Sequence, residues 1–172
     1  MSAPEILFSA EQIQDRVRSM ARVIARAPLV PDIAMPVLVG GFVFAADLLR
    51  ALAWEGVALD VEMIWLRSYG DKRVASAVSM IAGPSEQIAG RHVLVIDGLL
   101  DAGRTIAKAV SLIQAAGAAS VQVAVILDKQ RSDAVAKADY IGFTVGNDFV
   151  IGYGMDDAGQ HRGLPYIGKV KS

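Results

Sequence analysis

The sequence contains no cysteine among its 172 residues. Disulfide bonds and metal sites with thiolate ligands are therefore excluded. It also lacks any uncharged apolar run of about 18 residues, the length at which a helix can cross a bilayer. Its first residues carry acidic side chains, where a secretory signal peptide carries basic ones. We therefore expect a cytoplasmic protein with no membrane partner.

Long blocks of like charge are missing as well. The chain has 17 lysine and arginine residues against 18 aspartate and glutamate residues, so its net charge is −1. Nucleic-acid binders usually show a clear basic patch, and no nucleic-acid partner is expected here. The sequence is rich in apolar residues, and its hydrophobic content of 53% predicts a large core. The length fits one domain spanning 1–172.

Apolar strand-like runs alternate along the chain with segments of helical spacing. This alternation predicts an α/β fold with a mainly parallel sheet flanked by helices. The segment 67–91 has no clean period, so we expect a long mobile loop there, with at most a short strand near 76–81. The predicted helices are 10–26, 42–56 and 105–116, and the predicted strands are 36–41, 57–66, 92–97, 120–129, 139–145 and 149–154.

The segment VLVIDGLLDAGRT, residues 93–105, places two acids where a predicted strand ends. Ligands of parallel sheets bind beyond the carboxyl ends of the strands. Gly103 would let the backbone approach a ligand closely, and the amides that begin the next helix, with the Thr105 hydroxyl, favour an anion. Asp97 and Asp101 would flank such a phosphate site. An ordinary capped turn with solvated acids has the same spacing, so spacing alone leaves both interpretations open.

The order of residues in this segment resembles the phosphoribosyl-pyrophosphate motif of type I phosphoribosyltransferases. Further segments resemble the hypoxanthine-guanine branch of that family, and together they cover about residues 9 to 170. The resemblance implies the type I phosphoribosyltransferase fold, with a small purine-binding hood built from the chain ends. The segments that carry it are GGFVFAADLLRAL, RSYGD, LDK, DYIGF, DFVIGYGMD and RGLPYIG.

The same resemblance implies a reaction of purine salvage. Hypoxanthine, or guanine or xanthine, would react with phosphoribosyl pyrophosphate to give the nucleoside monophosphate and pyrophosphate. Asp101 would lie beside the purine N7 as the proton acceptor, and Asp97 would be the first acid that contacts the ribose. The residues implied to bind the phosphoribosyl group and its 5′-phosphate are Asp97, Asp101, Ala102, Gly103, Arg104 and Thr105.

The carboxyl-terminal part, about 129–170, is implied to bind the base. Lys129 would recognise the purine 6-oxo group, Phe149 would stack on the ring, and the main chain of Val150 would contact its edge. Without the family context, Lys129 also fits a solvated lysine at a strand end, and Phe149 fits a core aromatic.

Pyrophosphate, a metal and a lid complete the implied site. Asp156 would be a ligand of the Mg²⁺ cofactor, and the loop 67–91, beginning with Ser68 and Tyr69, would shield the reaction from water. Asp156 and Arg162 also fit a surface ion pair of little energy. Family members commonly form dimers or tetramers, so a homodimer or homotetramer is expected. The residues implied to bind pyrophosphate are Val39, Gly40 and Arg162.

Three positions depart from the family pattern. Gly98 stands where the family has a second acid, Ala102 replaces a threonine or serine, and Val39 replaces a lysine. Either a ribose contact is lost at Gly98, which Gly98→Asp would restore, or the position has a positive φ that requires glycine. Two hypotheses therefore stand: a working enzyme, or a slow or inactive relative that binds a purine or nucleotide as a sensor or partner subunit.

Overall fold

A seven-stranded sheet forms the centre of the computed structural model, which describes residues 4–69 and 77–170. The strands are β1 Glu5–Phe8, β2 Ile33–Leu38, β3 Asp60–Val61, β4 Ile64–Tyr69, β5 Ala77–Ala82, β6 His92–Leu100, β7 Ser120–Asp128, β8 Tyr140–Thr144, β9 Val150–Ile151 and β10 Ile167–Lys169. The helices are α1 Ala10–Ala25, α2 Phe42–Trp54 and α3 Arg104–Ala115, with a 3₁₀ turn at Glu86–Ile88.

The central sheet has the strand order β5-β4-β2-β6-β7-β8, and the short β3 also pairs with β2. All of its pairings are parallel except that of β4 with β5. The predicted α/β fold with a mainly parallel sheet is therefore confirmed. Among the described helices, none combines the length and apolar composition of a membrane-spanning segment.

Two layers of helices bury both faces of β6, which explains its nearly continuous apolar sequence. Leu94 and Ile96 pack into the cluster formed with α1 and α2. Val93 and Val95 face the other way, into the cluster formed with α3. Because β6 and its neighbour β7 are central, their carboxyl ends are held rigidly.

A second, antiparallel sheet joins the two ends of the described chain. Its order is β1-β10-β9, with Glu5 opposite Lys169 and Gly168 opposite Ile151. This is the hood expected from the chain ends. The sequence pattern did not reveal β1 or β10, because strands of four and three residues are too short to show a period.

The predicted strand 92–97 is too short. β6 continues to Leu100, because Leu99 and Leu100 pair with Leu127 and Asp128 of β7. Asp97 therefore lies inside a strand, and the turn begins only at Asp101.

The predicted strand 57–66 is two strands, β3 and β4, each paired in parallel with β2. They are separated at Glu62, whose carboxylate accepts hydrogen bonds from the backbone and hydroxyl of Ser85.

The predicted loop 67–91 begins too early, because β4 continues to Tyr69. β5 confirms the short strand expected near 76–81, and it pairs with β4 as an antiparallel edge hairpin. Met80 and Ile81 are about half exposed on this edge, which explains why no buried period was visible. Residues 70–76 and the side chains of Ser68 and Tyr69 lie outside the described part, so the predicted lid stays a prediction.

Candidate active site

A cleft of about 260 Å³ opens at the carboxyl ends of β6 and β7. It brings together side chains from four separate stretches of the chain, most of which the sequence predicts to be functional. Two predicted groups are not in its lining: Val39, and the loop 102–105, which lies next to it in sequence. The lining residues are Gly40, Asp97, Gly98, Leu99, Asp101, Lys129, Phe149, Val150, Met155, Asp156 and Arg162.

Two cations contact the carboxylate of Asp101. The Lys129 Nζ lies 3.4 Å from its Oδ2, and the Arg131 Nη1 donates to its Oδ1 at 3.0 Å. The Lys129 side chain is only 12% exposed, which excludes a freely solvated lysine. Asp101 and Lys129 come from neighbouring parallel strands, so the sheet itself holds them together.

Arg131 was not predicted from the sequence. It follows Lys129 by two residues, and Gln130 between them has a positive φ of 49°. The buried carboxylate of Asp128 accepts a hydrogen bond from the Gln130 backbone at 2.7 Å, which stabilises this tight turn. A cation at this spacing was visible in the sequence, but the left-handed residue that directs it toward Asp101 was not.

Asp97 is buried in β6, with 8% of its surface exposed. Burial raises the pKa of Asp97 to about 7, and the hydrogen bond from the Gly98 backbone, at 2.7 Å, partly opposes this rise. Both protonation states are therefore populated near neutral pH. In either state, an oxygen of Asp97 can accept a hydrogen bond from a ligand hydroxyl in the cleft.

Replacing Asp97 with asparagine should stabilise the protein, and more so at high pH. The pKa of Asp97 is higher in the folded than in the unfolded chain, so the free energy of unfolding falls as pH rises from about 4 to about 7, by up to about 1.4 kcal/mol per unit. Asparagine keeps an acceptor for the Gly98 amide and removes the titration. Melting temperatures of both proteins at pH 5 and pH 8 test this. An equal difference at the two pH values would contradict it.

The loop 101–105 joins β6 to the first turn of α3. Gly103 caps α3 in the left-handed conformation, with φ 77°, and no side chain caps the first turn of that helix. A Cβ at Gly103 would lie 2.8 Å from the Ala136 backbone nitrogen, so glycine is required on two grounds. The Val135 amide donates to the Ala102 carbonyl at 3.0 Å, which holds the loop against the following segment.

The packing around position 98 explains why a glycine stands there, and the sequence alone does not show this packing. The φ of Gly98 is not positive, so the interpretation that a left-handed backbone requires glycine is wrong. A Cβ at Gly98 would lie 2.9 Å from the backbone oxygen of Gly40, and a Cβ at Gly154 would lie 2.4 Å from the same oxygen. The carbonyl of Gly40 thus lies between two glycines. The predicted benefit of Gly98→Asp is therefore unsupported by the packing.

Asp156 and Arg162 form an ion pair in the cleft. The Arg162 Nη2 lies 2.6 Å from Asp156 Oδ1, and the Gly159 amide donates to Oδ2 at 2.7 Å. The Arg162 Nη1 also donates to the Gly154 carbonyl at 2.6 Å. Both charged side chains are 30% exposed, so they are not a fully solvated surface pair. In the described ranges, no cluster of three or more metal-ligating side chains occurs.

The exposures of Phe149 and Val39 test two of the alternatives that the sequence left open. Phe149 is 46% exposed at the cleft, which excludes an ordinary core aromatic. Val39 is 41% exposed and outside the cleft lining, whereas the adjacent Gly40 lies in it. The structure therefore gives Gly40, and not the Val39 side chain, a place in this site.

Comparison with known proteins gives one consistent family. Residues 5–158 match the family model described as a phosphoribosyl transferase domain. The chain is 34% identical to the hypoxanthine-guanine phosphoribosyltransferase of Bacillus subtilis, over 97% of this chain and 93% of that one. It is 37% identical to the bifunctional protein TilS/HprT of Listeria innocua, but spans only 26% of that longer protein.

A solved structure extends the comparison to three dimensions. The hypoxanthine phosphoribosyltransferase of Trypanosoma cruzi, in complex with the product IMP, matches with a TM-score of 0.86 and 33% identity. The match covers 97% of this chain and 94% of that one. The likeness therefore extends over nearly the whole chain.

Proposed function

This chain belongs to the phosphoribosyltransferase family, in its hypoxanthine-guanine branch, and from that premise we propose that it transfers phosphoribosyl groups to 6-oxopurines. The products are a nucleoside monophosphate and pyrophosphate, as in purine salvage. The proposal depends on one observation: a single cleft holds Asp97 of β6, Asp101 just after it, the lysine that follows β7 and the Asp156–Arg162 pair. We also propose that 1–172 is a single domain and that it forms a homodimer or homotetramer.

The base side of the cleft supports recognition of a 6-oxopurine. Lys129 is the cation at the cleft wall that can donate to the 6-oxo oxygen, and Phe149 offers an exposed ring for stacking. Asp101 is the carboxylate that Lys129 contacts, and it accepts the proton that the purine ring loses. The main chain of Val150 lies at the base edge.

The side of the cleft that would bind the phosphoribosyl group offers main-chain amides and the buried carboxylate of Asp97. The free amides at the start of α3, from Ala102 to Thr105, bind the 5′-phosphate, and the exposed Arg104 adds positive charge. Asp97 accepts from a ribose hydroxyl. Gly40 and Arg162 face the pyrophosphate, whose departure leaves negative charge that a cation stabilises.

Magnesium fits this site as an ion shared with the substrate. Asp156 is one carboxylate, and Mg²⁺ commonly binds one or two protein carboxylates together with substrate phosphates. When bound, it would neutralise charge on the pyrophosphate. The Asp156–Arg162 pair also suits this role, because a carboxylate can bind Mg²⁺ and the guanidinium beside it can bind pyrophosphate.

Steady-state turnover with phosphoribosyl pyrophosphate, Mg²⁺ and hypoxanthine, guanine or xanthine in turn tests the proposal. Formation of the matching nucleotide and pyrophosphate in equal amounts is the expected result. A slow or inactive purine-binding relative is the second candidate, favoured by the position of Val39 outside the cleft and by Ala102 in the phosphate loop. Tight binding of IMP without turnover would support that candidate instead.

Lys129→Ala should weaken purine binding selectively. A charge-assisted hydrogen bond contributes about 1.5–3 kcal/mol, so KM for the purine should rise about tenfold to a hundredfold, while KM for phosphoribosyl pyrophosphate stays within about twofold. Steady-state kinetics with each substrate varied measures both. Lys137→Ala, at an exposed lysine of the same segment, is the matched control. An equal rise for the two substrates would argue against the assignment.

A further inference from the structure

Arg131 bridges two carboxylates at the edge of the cleft. Its Nη1 donates to Asp101 Oδ1 at 3.0 Å, while its Nε and Nη2 donate to the two oxygens of Asp133 at 2.9 and 2.8 Å. The pairing with Asp133 fixes the plane of the guanidinium, as a two-point contact does for arginine but cannot do for lysine. Arg131 therefore presents one fixed donor to Asp101.

The backbone conformation at Gln130 makes this arrangement possible. Gln130 has a left-handed conformation that non-glycine residues adopt at a cost of about 1 kcal/mol or more. The buried Asp128 stabilises that conformation through the Gln130 amide. As a result the side chains on both sides of Gln130 reach the same carboxylate, Lys129 at Oδ2 and Arg131 at Oδ1.

The two cations are not equivalent. Lys129 lines the base cleft, and its contact with Asp101 is the longer one, 3.4 Å. Arg131 does not line the base cleft; it lines a neighbouring open cleft of about 540 Å³ that shares Lys129 as a wall. A purine in the base cleft thus competes for Lys129 and leaves the contact of Arg131 with Asp101 intact.

We infer that Arg131 is a positioning residue for Asp101: it holds the proton-accepting carboxylate in place once Lys129 has turned to the purine 6-oxo group. This inference rests on the proposed function. Asp133 contributes indirectly, because it holds the guanidinium of Arg131 in place. Without Arg131, Asp101 keeps no cationic partner in the substrate complex and is free to rotate away from the ring nitrogen.

The test compares Arg131→Ala, Arg131→Lys and Asp133→Asn with the wild-type protein in steady-state turnover. For Arg131→Ala, kcat should fall about tenfold to a hundredfold, the loss of one charge-assisted contact, with both KM values within about twofold. Arg131→Lys should recover part of kcat, because it restores charge without the planar two-point contact. The kcat of Asp133→Asn should lie between those of the wild type and Arg131→Ala.

Arg18→Ala is the matched control, since Arg18 makes one exposed ion pair on α1. Its kinetics should equal those of the wild type. Unchanged kcat in Arg131→Ala would overturn the inference, as would a rise in KM that accounts for the whole loss of activity. If Arg131→Ala fails to fold, Arg131→Lys and Asp133→Asn decide by the same kcat criterion. Absence of turnover in the wild type would instead refute the proposed function, and the inference with it.

Discussion

Asp101→Asn is expected to lower kcat by about 10²–10⁴-fold. A positioned general base contributes an effect of that size, and asparagine keeps the shape of the side chain while losing its capacity to accept the proton. The substitution also removes the negative charge that Lys129 and Arg131 share. KM for phosphoribosyl pyrophosphate should change little, because the amides of the phosphate loop remain. Single-turnover kinetics with hypoxanthine, which isolates the chemical step, is the measurement.

Asp15→Asn is the matched control for this prediction. It makes the same change of carboxylate to amide on the exposed side of α1, where Asp15 pairs with the exposed Arg18. We expect its kcat to be that of the wild type. A loss below about fivefold in Asp101→Asn would mean that proton transfer at this carboxylate does not limit the chemical step.

Gly98→Asp is expected to destabilise the protein and to reduce its activity. The new Cβ would meet the Gly40 oxygen at 2.9 Å, so either β6 or the loop at Gly40 has to shift. Overpacking of this kind costs about 1–3 kcal/mol, or about 2–12 °C in melting temperature for a domain of this size. The shift would also displace Gly40 from the pyrophosphate, and kcat/KM for phosphoribosyl pyrophosphate should fall.

Two further substitutions separate packing from charge. Gly98→Ala has the same Cβ without the carboxylate, so it should lose nearly as much stability as Gly98→Asp. Gly146→Ala is the control, because its Cβ would meet no atom within 4 Å. A normal melting temperature in Gly98→Asp, together with a higher kcat/KM for phosphoribosyl pyrophosphate, would restore the interpretation of a missing ribose contact.

The sequence predicted the central strands because they are buried on both faces. Val93 to Ile96 form a continuous apolar run, as expected of a strand buried on both faces, and β7 also has a mainly apolar sequence. The edge pair β4–β5 was harder, since exposed Met80 and Ile81 break any simple alternation. β6 was cut short at Asp97 because a buried aspartate is rare, and only its pairing with Val125 of β7 explains it.

The candidate site was predictable where function follows the order of residues along the chain. Asp101, Lys129 and Asp156 lie in family-like segments, and all three line the cleft. Asp101 and Lys129 meet because neighbouring parallel strands end at one edge, whereas Asp156 follows β9 of the second sheet. Arg131 was missed since its role depends on the left-handed Gln130. The reason for Gly98 was missed because Gly40, its contact, lies 58 residues earlier in the chain and only folding brings them together.

The carbonyl of Gly40, enclosed between Gly98 and Gly154, has an evolutionary consequence. Gly98 and Gly154 both lie against this one atom, so neither can acquire a side chain by a single substitution without moving the loop at Gly40 or its own segment. An acid at position 98 therefore requires a shift of β6 or of the loop at Gly40. The packing around Gly40, and not ribose chemistry alone, thus constrains which descendants of this chain can carry the second acid.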